Sequence, residues 1–128
     1  SPSESTKDAS VSFNNQGLYG TMQSLTASTY LENDAASPLY NKRAFVLSRS
    51  TFPGAGTGVG HWLGENTNTF EDMRYSISGI LNFNMFGIPL TGANVCGSEG
   101  NDDEEICARW YQLASVYPLS RAYYNTKF

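Results

Sequence analysis

The chain has 128 residues, with 8 Lys and Arg against 12 Asp and Glu and a net charge of −4. That length allows one domain with a modest core, and an acidic balance without any basic run argues against a nucleic-acid partner. No apolar stretch approaches the roughly 20 residues of a membrane span.

Residues 1–12 read as a flexible lead-in, small, polar and without periodicity, and Ser1–Ser10 does not have the pattern of a signal peptide. Leu18, Met22 and Leu25 recur at helical spacing and predict a helix over Gly17–Leu31. Glu32–Asn41 is a loop, with Asn33, Asp34 and Pro38 as turn formers. Two short strands follow, Ala44–Ser48 and Val59–Leu63, joined by the Gly-rich link Pro53–Gly58. This link is not a phosphate loop, because no Lys-Ser/Thr follows it and the next element is a strand. The strongest helical pattern comes next. Asn68 or Thr69 can cap it, Glu71 and Asp72 put negative charge in its first turn, and Phe70, Met73, Ile77, Ile80, Leu81 and Asn84 map its inner stripe. Gly87 ends it and Pro89 prevents its return. Pro89–Val95 is a third strand. Asn101 can cap a last helix with acidic residues in its first turn and an apolar stripe through Ile106, Trp110, Leu113 and Tyr117. Pro118 should kink or stop it. Strand, strand, helix, strand, helix fits consecutive units of a parallel α/β architecture.

The stretch from Ala44 to Gly64, AFVLSRSTFPGAGTGVGHWLG, carries most of the candidate chemistry. Arg49 closes its first apolar run, and His61, Trp62 and Glu65 close the second. Apolar strands that deliver polar side chains at their carboxyl ends are how an α/β barrel builds an active site. His61, the one histidine of the chain, supports neither a catalytic triad nor a metal site and reads as structural. Taken alone, Glu65 is equally a loop glutamate before a helix, Arg49 a strand-end ion pair and Trp62 a core residue. No Asn-x-Ser/Thr glycan acceptor occurs.

Several motifs in order, FVLSRSTF, GHWLGEN, RYSISGILNFNMFGIPL and TGANVCG followed by GNDDEEICARWYQL, closely resemble the glycoside hydrolase family 31 α-glucosidases. The resemblance covers roughly Gly17 to Arg121. It implies an α/β fold, specifically a partial (β/α)8 TIM barrel of about three parallel strands with their helices, since a whole barrel typically needs about 250 residues. Residues 13–128 are then a fragment of the family's catalytic barrel. The family's nucleophile segment, Trp-x-Asp-Met-Asn-Glu, does not occur here, and neither does a further downstream histidine.

The same resemblance assigns roles. Retaining glycosidases use two carboxyl groups about 5–5.5 Å apart, and Glu65 stands where the family has the acid/base Asp of Gly-His-Trp-x-Gly-Asp-Asn. Its extra methylene moves the carboxyl by about a bond length, and about 1 Å of misplacement can cost on the order of 100-fold in rate. Arg49, Trp62 and Asn94 match substrate-binding positions: a guanidinium for sugar hydroxyls or a catalytic carboxylate, a flat indole for the sugar ring, and a pocket position where the family has Asp. An amide at position 94 keeps the shape, removes a charge and adds two donors. Ser98 replaces a bulky aromatic. Cys96 and Cys107, the only cysteines, fall where the lysosomal and intestinal branches carry a disulfide, with two buried thiols the alternative. The pair implies a secretory route, lysosomal or extracellular. The expected function is that of part of a retaining α-glucosidase acting on terminal α-linked glucose of oligosaccharides or glycogen. The alternative is an inactive structural or binding subunit in a larger assembly. The expected partners are an α-glucoside and the rest of the barrel or other chains, with no nucleic acid, no membrane span, no cofactor and no metal.

Overall fold

A computed structural model describes residues 15–98 and 103–123. The lead-in over 1–12 and the candidate cap Asn101 lie outside the described residues. A single 3-10 turn, Gln16–Leu18, runs into helix α1, Tyr19–Asn33. Then come β1 (Leu47–Ser48), β2 (Gly60–Trp62), α2 (Phe70–Met85), β3 (Thr91–Val95), α3 (Glu104–Ala114) and β4 (Leu119–Ala122). The sheet has order β1-β2-β3-β4 and every pair is parallel. An α/β architecture consistent with part of a barrel is therefore present, with four strands where about three were expected.

The additional strand, β4, follows Pro118 directly. The last helix stops at Ala114, short of that proline. Tyr117 consequently lies outside the helix and packs on the core from the turn. β4 forms because β3 supplies it with a ladder from Gly92↔Leu119 to Val95↔Ala122.

Helix α1 is where the predicted periodicity misleads. Met22 is 61% exposed, and the buried residues are Thr21, Ser24 and Ser28. The cause is close packing against the segment after β1. A Cβ on Gly20 would come within 2.4 Å of Ser50 Oγ, and Ser28 Oγ donates to the Gly58 carbonyl at 3.0 Å. Only small side chains fit at such an approach.

Helix α2 shows the expected termini. Thr69, not Asn68, caps it: Thr69 Oγ1 accepts from the Asp72 backbone N–H, and Asp72 Oδ2 in turn accepts from the Thr67 N–H at 2.6 Å. This arrangement satisfies one free donor of the first turn, the Asp72 N–H, and ties the preceding residue Thr67 to the helix start. At the other end Gly87 adopts φ +82°, with Gly87 N–H bonded to Asn84 O and Ile88 N–H to Phe83 O. That is the Schellman pattern, which needs a residue without Cβ strain at the left-handed position. Its inner stripe differs from the predicted one. Ser76 and Ile80 are buried, with Met73 and Phe83 partly so, whereas Phe70, Ile77 and Leu81 face outward. Periodicity finds the apolar rows of such a helix but does not tell which row meets the sheet.

Two clusters hold the elements together. Ala93, Val95, Trp110 and Ala114 pack β3 against α3, and Ala55, Val59 and Ile88 fill the space beside the β1–β2 link, with Val46 and Phe83 against them. Strand β3 is buried along its whole length. Cys96, just after β3, is disulfide-bonded to Cys107 in α3, 11 positions on. Among the described residues no cysteine is free. In the complete protein, Cys96→Ser with Cys107→Ser should cost about 3 kcal/mol, the loop-closure entropy of a ring of this size. Denaturant unfolding of the double variant checks this; a loss under about 1 kcal/mol would contradict it.

Candidate active site

Side chains of a strand alternate between the two faces of its sheet. Combined with the register, that rule places Gly60 and Trp62 of β2, Gly92 and Asn94 of β3, and Leu119 and Arg121 of β4 on one face, together with Leu47 of β1. The opposite face carries His61, Ala93 and Val95, which meet Phe83, Trp110 and Ala114 of the helices. The candidate residues therefore project from the face that the helices do not cover. Gly60 keeps the wall narrow, since a Cβ there would come within 2.7 Å of Leu47 Cδ2 and of the Leu90 carbonyl oxygen.

At the carboxyl ends of the strands these side chains meet. Trp62 Nε1 donates to Asn94 Oδ1 at 2.8 Å, and Asn94 Nδ2 donates a longer bond of 3.4 Å to Glu65 Oε2. An indole N–H only donates, so the amide of Asn94 has one orientation, oxygen toward Trp62 and nitrogen toward Glu65. Asn94 is fully buried, while Glu65 is exposed. The Arg49 guanidinium carbon lies 5.9 Å from the centroid of the Trp62 ring. Gly64, at φ +96°, makes this approach available, because a Cβ there would sit 2.6 Å from Arg49 Nε. All four sequence-predicted residues, Arg49, Trp62, Glu65 and Asn94, thus share one neighbourhood.

The loops after β2 and β3 are tied to each other. Asn66 Nδ2 donates to the Asn94 carbonyl at 3.0 Å, and Ser98 N–H donates to the Asn66 carbonyl at 2.8 Å. Asn66 N–H returns a bond to Ser98 Oγ at 3.3 Å. Gly97, at φ +78°, lies against the other loop so closely that a Cβ would be 2.6 Å from Asn68 N. Ser98 is only 4% exposed. It serves as a loop tie instead of standing open to a ligand.

Two further residues join the group. Arg121 of β4 puts its guanidinium carbon 5.0 Å from the Trp62 ring centroid and 5.1 Å from that of Tyr123. Sequence reasoning missed both because it missed β4. The register partner of Arg121 is Asn94, so recognising the strand would have found it. No group of three or more His, Cys, Asp or Glu that could hold a metal ion occurs among the described residues.

His61 belongs to the other side. Its ring stacks on Phe83 with centroids 3.6 Å apart, and Nδ1 lies 2.9 Å from Thr51 Oγ1. Burial lowers its pKa from 6.5 to about 4, because an imidazolium there would lose its hydration. The unfolded chain therefore takes up a proton before the folded one does. The contribution of His61 to stability is complete above pH 6.5 and falls away as pH drops toward 4, by at most about 1.4 kcal/mol per pH unit. His61→Gln should flatten the stability–pH curve of the complete protein in this window. An unchanged slope would show that the histidine does not titrate in this way.

Comparison with known proteins identifies the family. A family profile described as "Glycosyl hydrolases family 31 TIM-barrel domain" matches residues 3–127. The chain is 50% identical over 104 residues to human "Probable maltase-glucoamylase 2", covering 81% of this chain and 4% of that protein. It is 42% identical over 112 residues to rat "Lysosomal alpha-glucosidase", covering 88% of this chain and 11% of that protein. A crystal structure of the glucosidase II alpha subunit superposes with a TM-score of 0.72 at 32% identity, over 82% of this chain and 11% of that one. The chain thus spans from 4% to 11% of the length of these relatives. With the parallel sheet, its helices and a profile match over nearly every residue, the chain belongs to glycosyl hydrolase family 31 and forms part of its TIM-barrel domain.

Proposed function

We propose that residues 13–128 are one segment of the catalytic barrel of a retaining α-glucosidase, supplying its acid/base group and part of its glucose subsite. The observation that carries this reading is the position of Glu65. It is an exposed carboxylate at the carboxyl end of β2, fixed through Asn94 to the edge of Trp62 and flanked by Arg49. A flat indole with guanidinium donors beside it suits a polyhydroxylated ring. In the first half-reaction Glu65 protonates the oxygen of the departing sugar while a carboxylate from outside this segment attacks the anomeric carbon. In the second it takes a proton from the water that hydrolyses the glucosyl-enzyme. The relatives named as maltase-glucoamylase and α-glucosidase support terminal α-linked glucose of oligosaccharides or glycogen as substrate. The lysosomal name of one relative, with the disulfide, supports a secretory route ending in a lysosome or outside the cell.

The test is the anomeric form of the first product. Maltose given to the native complete protein and followed by proton NMR should release α-glucose before mutarotation. Release of β-glucose, or no release, overturns the reading.

One observation favours a second reading, an inactive structural or binding subunit derived from the same family. Asn94 places a neutral amide beside Glu65, where the family pattern puts a carboxylate. The outward apolar residues Phe45, Leu81 and Met85, 65%, 62% and 85% exposed, would then pack against the remaining barrel or other chains. An intact particle without glucosidase activity but with stable partners supports this alternative.

A further inference from the structure

The guanidinium of Arg121 is unusually placed for a surface cation. No carboxylate among the described residues lies within ion-pair distance of it, and its recorded contacts are with two aromatic rings, Trp62 at 5.0 Å and Tyr123 at 5.1 Å. Arginine stacks on aromatic faces because its charge is delocalised over a planar, weakly hydrated group, and Trp is the best of the aromatic acceptors. The backbone holds the stack in place: Arg121 is the register partner of Asn94, and Tyr123 N–H continues the ladder to the Val95 carbonyl at 3.4 Å. Trp62 therefore has attachments of two kinds. Its edge is tied by the N–H bond to Asn94, and two guanidinium groups lie by its ring, Arg121 at 5.0 Å and Arg49 farther off at 5.9 Å.

We infer that Arg121 is a positioning residue that fixes the plane of the Trp62 indole, so that β4 takes part in sugar recognition without itself contacting the sugar. The inference rests on the proposed glucosidase reading, in which Trp62 forms a wall of the glucose subsite. One N–H bond leaves an indole free to swing about that contact, and the nearer of the two cations, Arg121, restricts that swing. A freely swinging platform weakens ground-state and transition-state sugar binding alike, so the loss falls on KM and leaves kcat little changed.

The experiment uses the complete protein with maltose as substrate and glucose as product inhibitor. Arg121→Met should raise KM and the glucose inhibition constant together, by roughly 2- to 30-fold, the range expected for a cation–π contact from an exposed to a desolvated setting. Its kcat should stay within about 3-fold of the parent value. Arg121→Lys, which keeps a cation but not the planar group, should recover part of the loss. The decisive variant is Arg121→Met combined with Trp62→Leu. If Arg121 acts through the indole, the double variant binds glucose no more weakly than Trp62→Leu alone. Additive losses would show that Arg121 acts elsewhere, and unchanged KM and inhibition in Arg121→Met would overturn the inference outright. The parent protein measured alongside separates the two failures: if it releases no α-glucose from maltose, the glucosidase reading falls; if it does so while Arg121→Met is normal, only the role of Arg121 falls.

Discussion

Glu65→Gln in the complete protein should lower kcat/KM for maltose by about 10²- to 10⁴-fold, the usual contribution of a positioned general acid. The amide has the size and the acceptor oxygen of the carboxyl, so Asn94 Nδ2, 3.4 Å from Glu65 Oε2 in the parent, still finds a partner, and the fold is unaffected. What is lost is the proton for the leaving oxygen. A substrate whose leaving group needs no proton, such as α-glucosyl fluoride, should therefore lose far less in its first step. The contrast between the two substrates is the diagnostic part, because a general loss of packing would lower both. Maltose turnover within about 3-fold of the parent would end the assignment of Glu65 as the acid. Glu65→Asp addresses the length of the side chain: if turnover changes little, the carboxylate as it stands is a working acid.

The largest effect on stability is expected at Gly92. It lies on the inner face of β3 opposite Leu119, and a Cβ there would come within 1.8 Å of the Leu119 carbonyl oxygen. That overlap is with backbone, so no rotamer change relieves it. Over-packing a core usually costs about 1–3 kcal/mol, and it costs more where backbone must shift. Gly92→Ala should separate β4 from β3, lower the melting temperature by more than the loss of the disulfide does, and raise KM for maltose by carrying Arg121 away from Trp62. Thermal unfolding and a glucose-release assay check both parts. A melting temperature within about 2 °C of the parent would mean that the two strands do not approach so closely.

What the sequence made legible follows the range of the forces involved. The start and stop of α2 depend on neighbours a few residues away, and Thr69, Asp72 and Gly87 announce them. Trp110 and Ile106 likewise fix the inner stripe of α3, with Trp110 fully buried. β4 was not legible. Leu119-Ser120-Arg121-Ala122 has neither the length nor the alternation of a strand, and it becomes one because β3 lends it a ladder. The buried face of α1 was hidden for a related reason: close approach to the backbone around Ser50 and Gly58 selects Thr21, Ser24 and Ser28 over the larger apolar residues. The candidate site came from resemblance to a family. Periodicity alone says nothing of Glu65 or Asn94. Strand parity then explains why Trp62 and Asn94 meet, yet the orientation of the amide required the position of the indole N–H.

His61 and Trp62 are consecutive residues of one strand, and the pleat sends them to opposite sides of the sheet. The imidazole stacks on Phe83 beneath a helix, while the indole stands among arginines on the uncovered side. One layer of backbone thus insulates the group whose protonation weakens the fold in acid from the groups that would handle the sugar. Acid endurance and acid chemistry are, in this segment, separately adjustable. A replacement at position 61 can widen the range of pH over which the molecule survives and leave the pH at which it works best where it was.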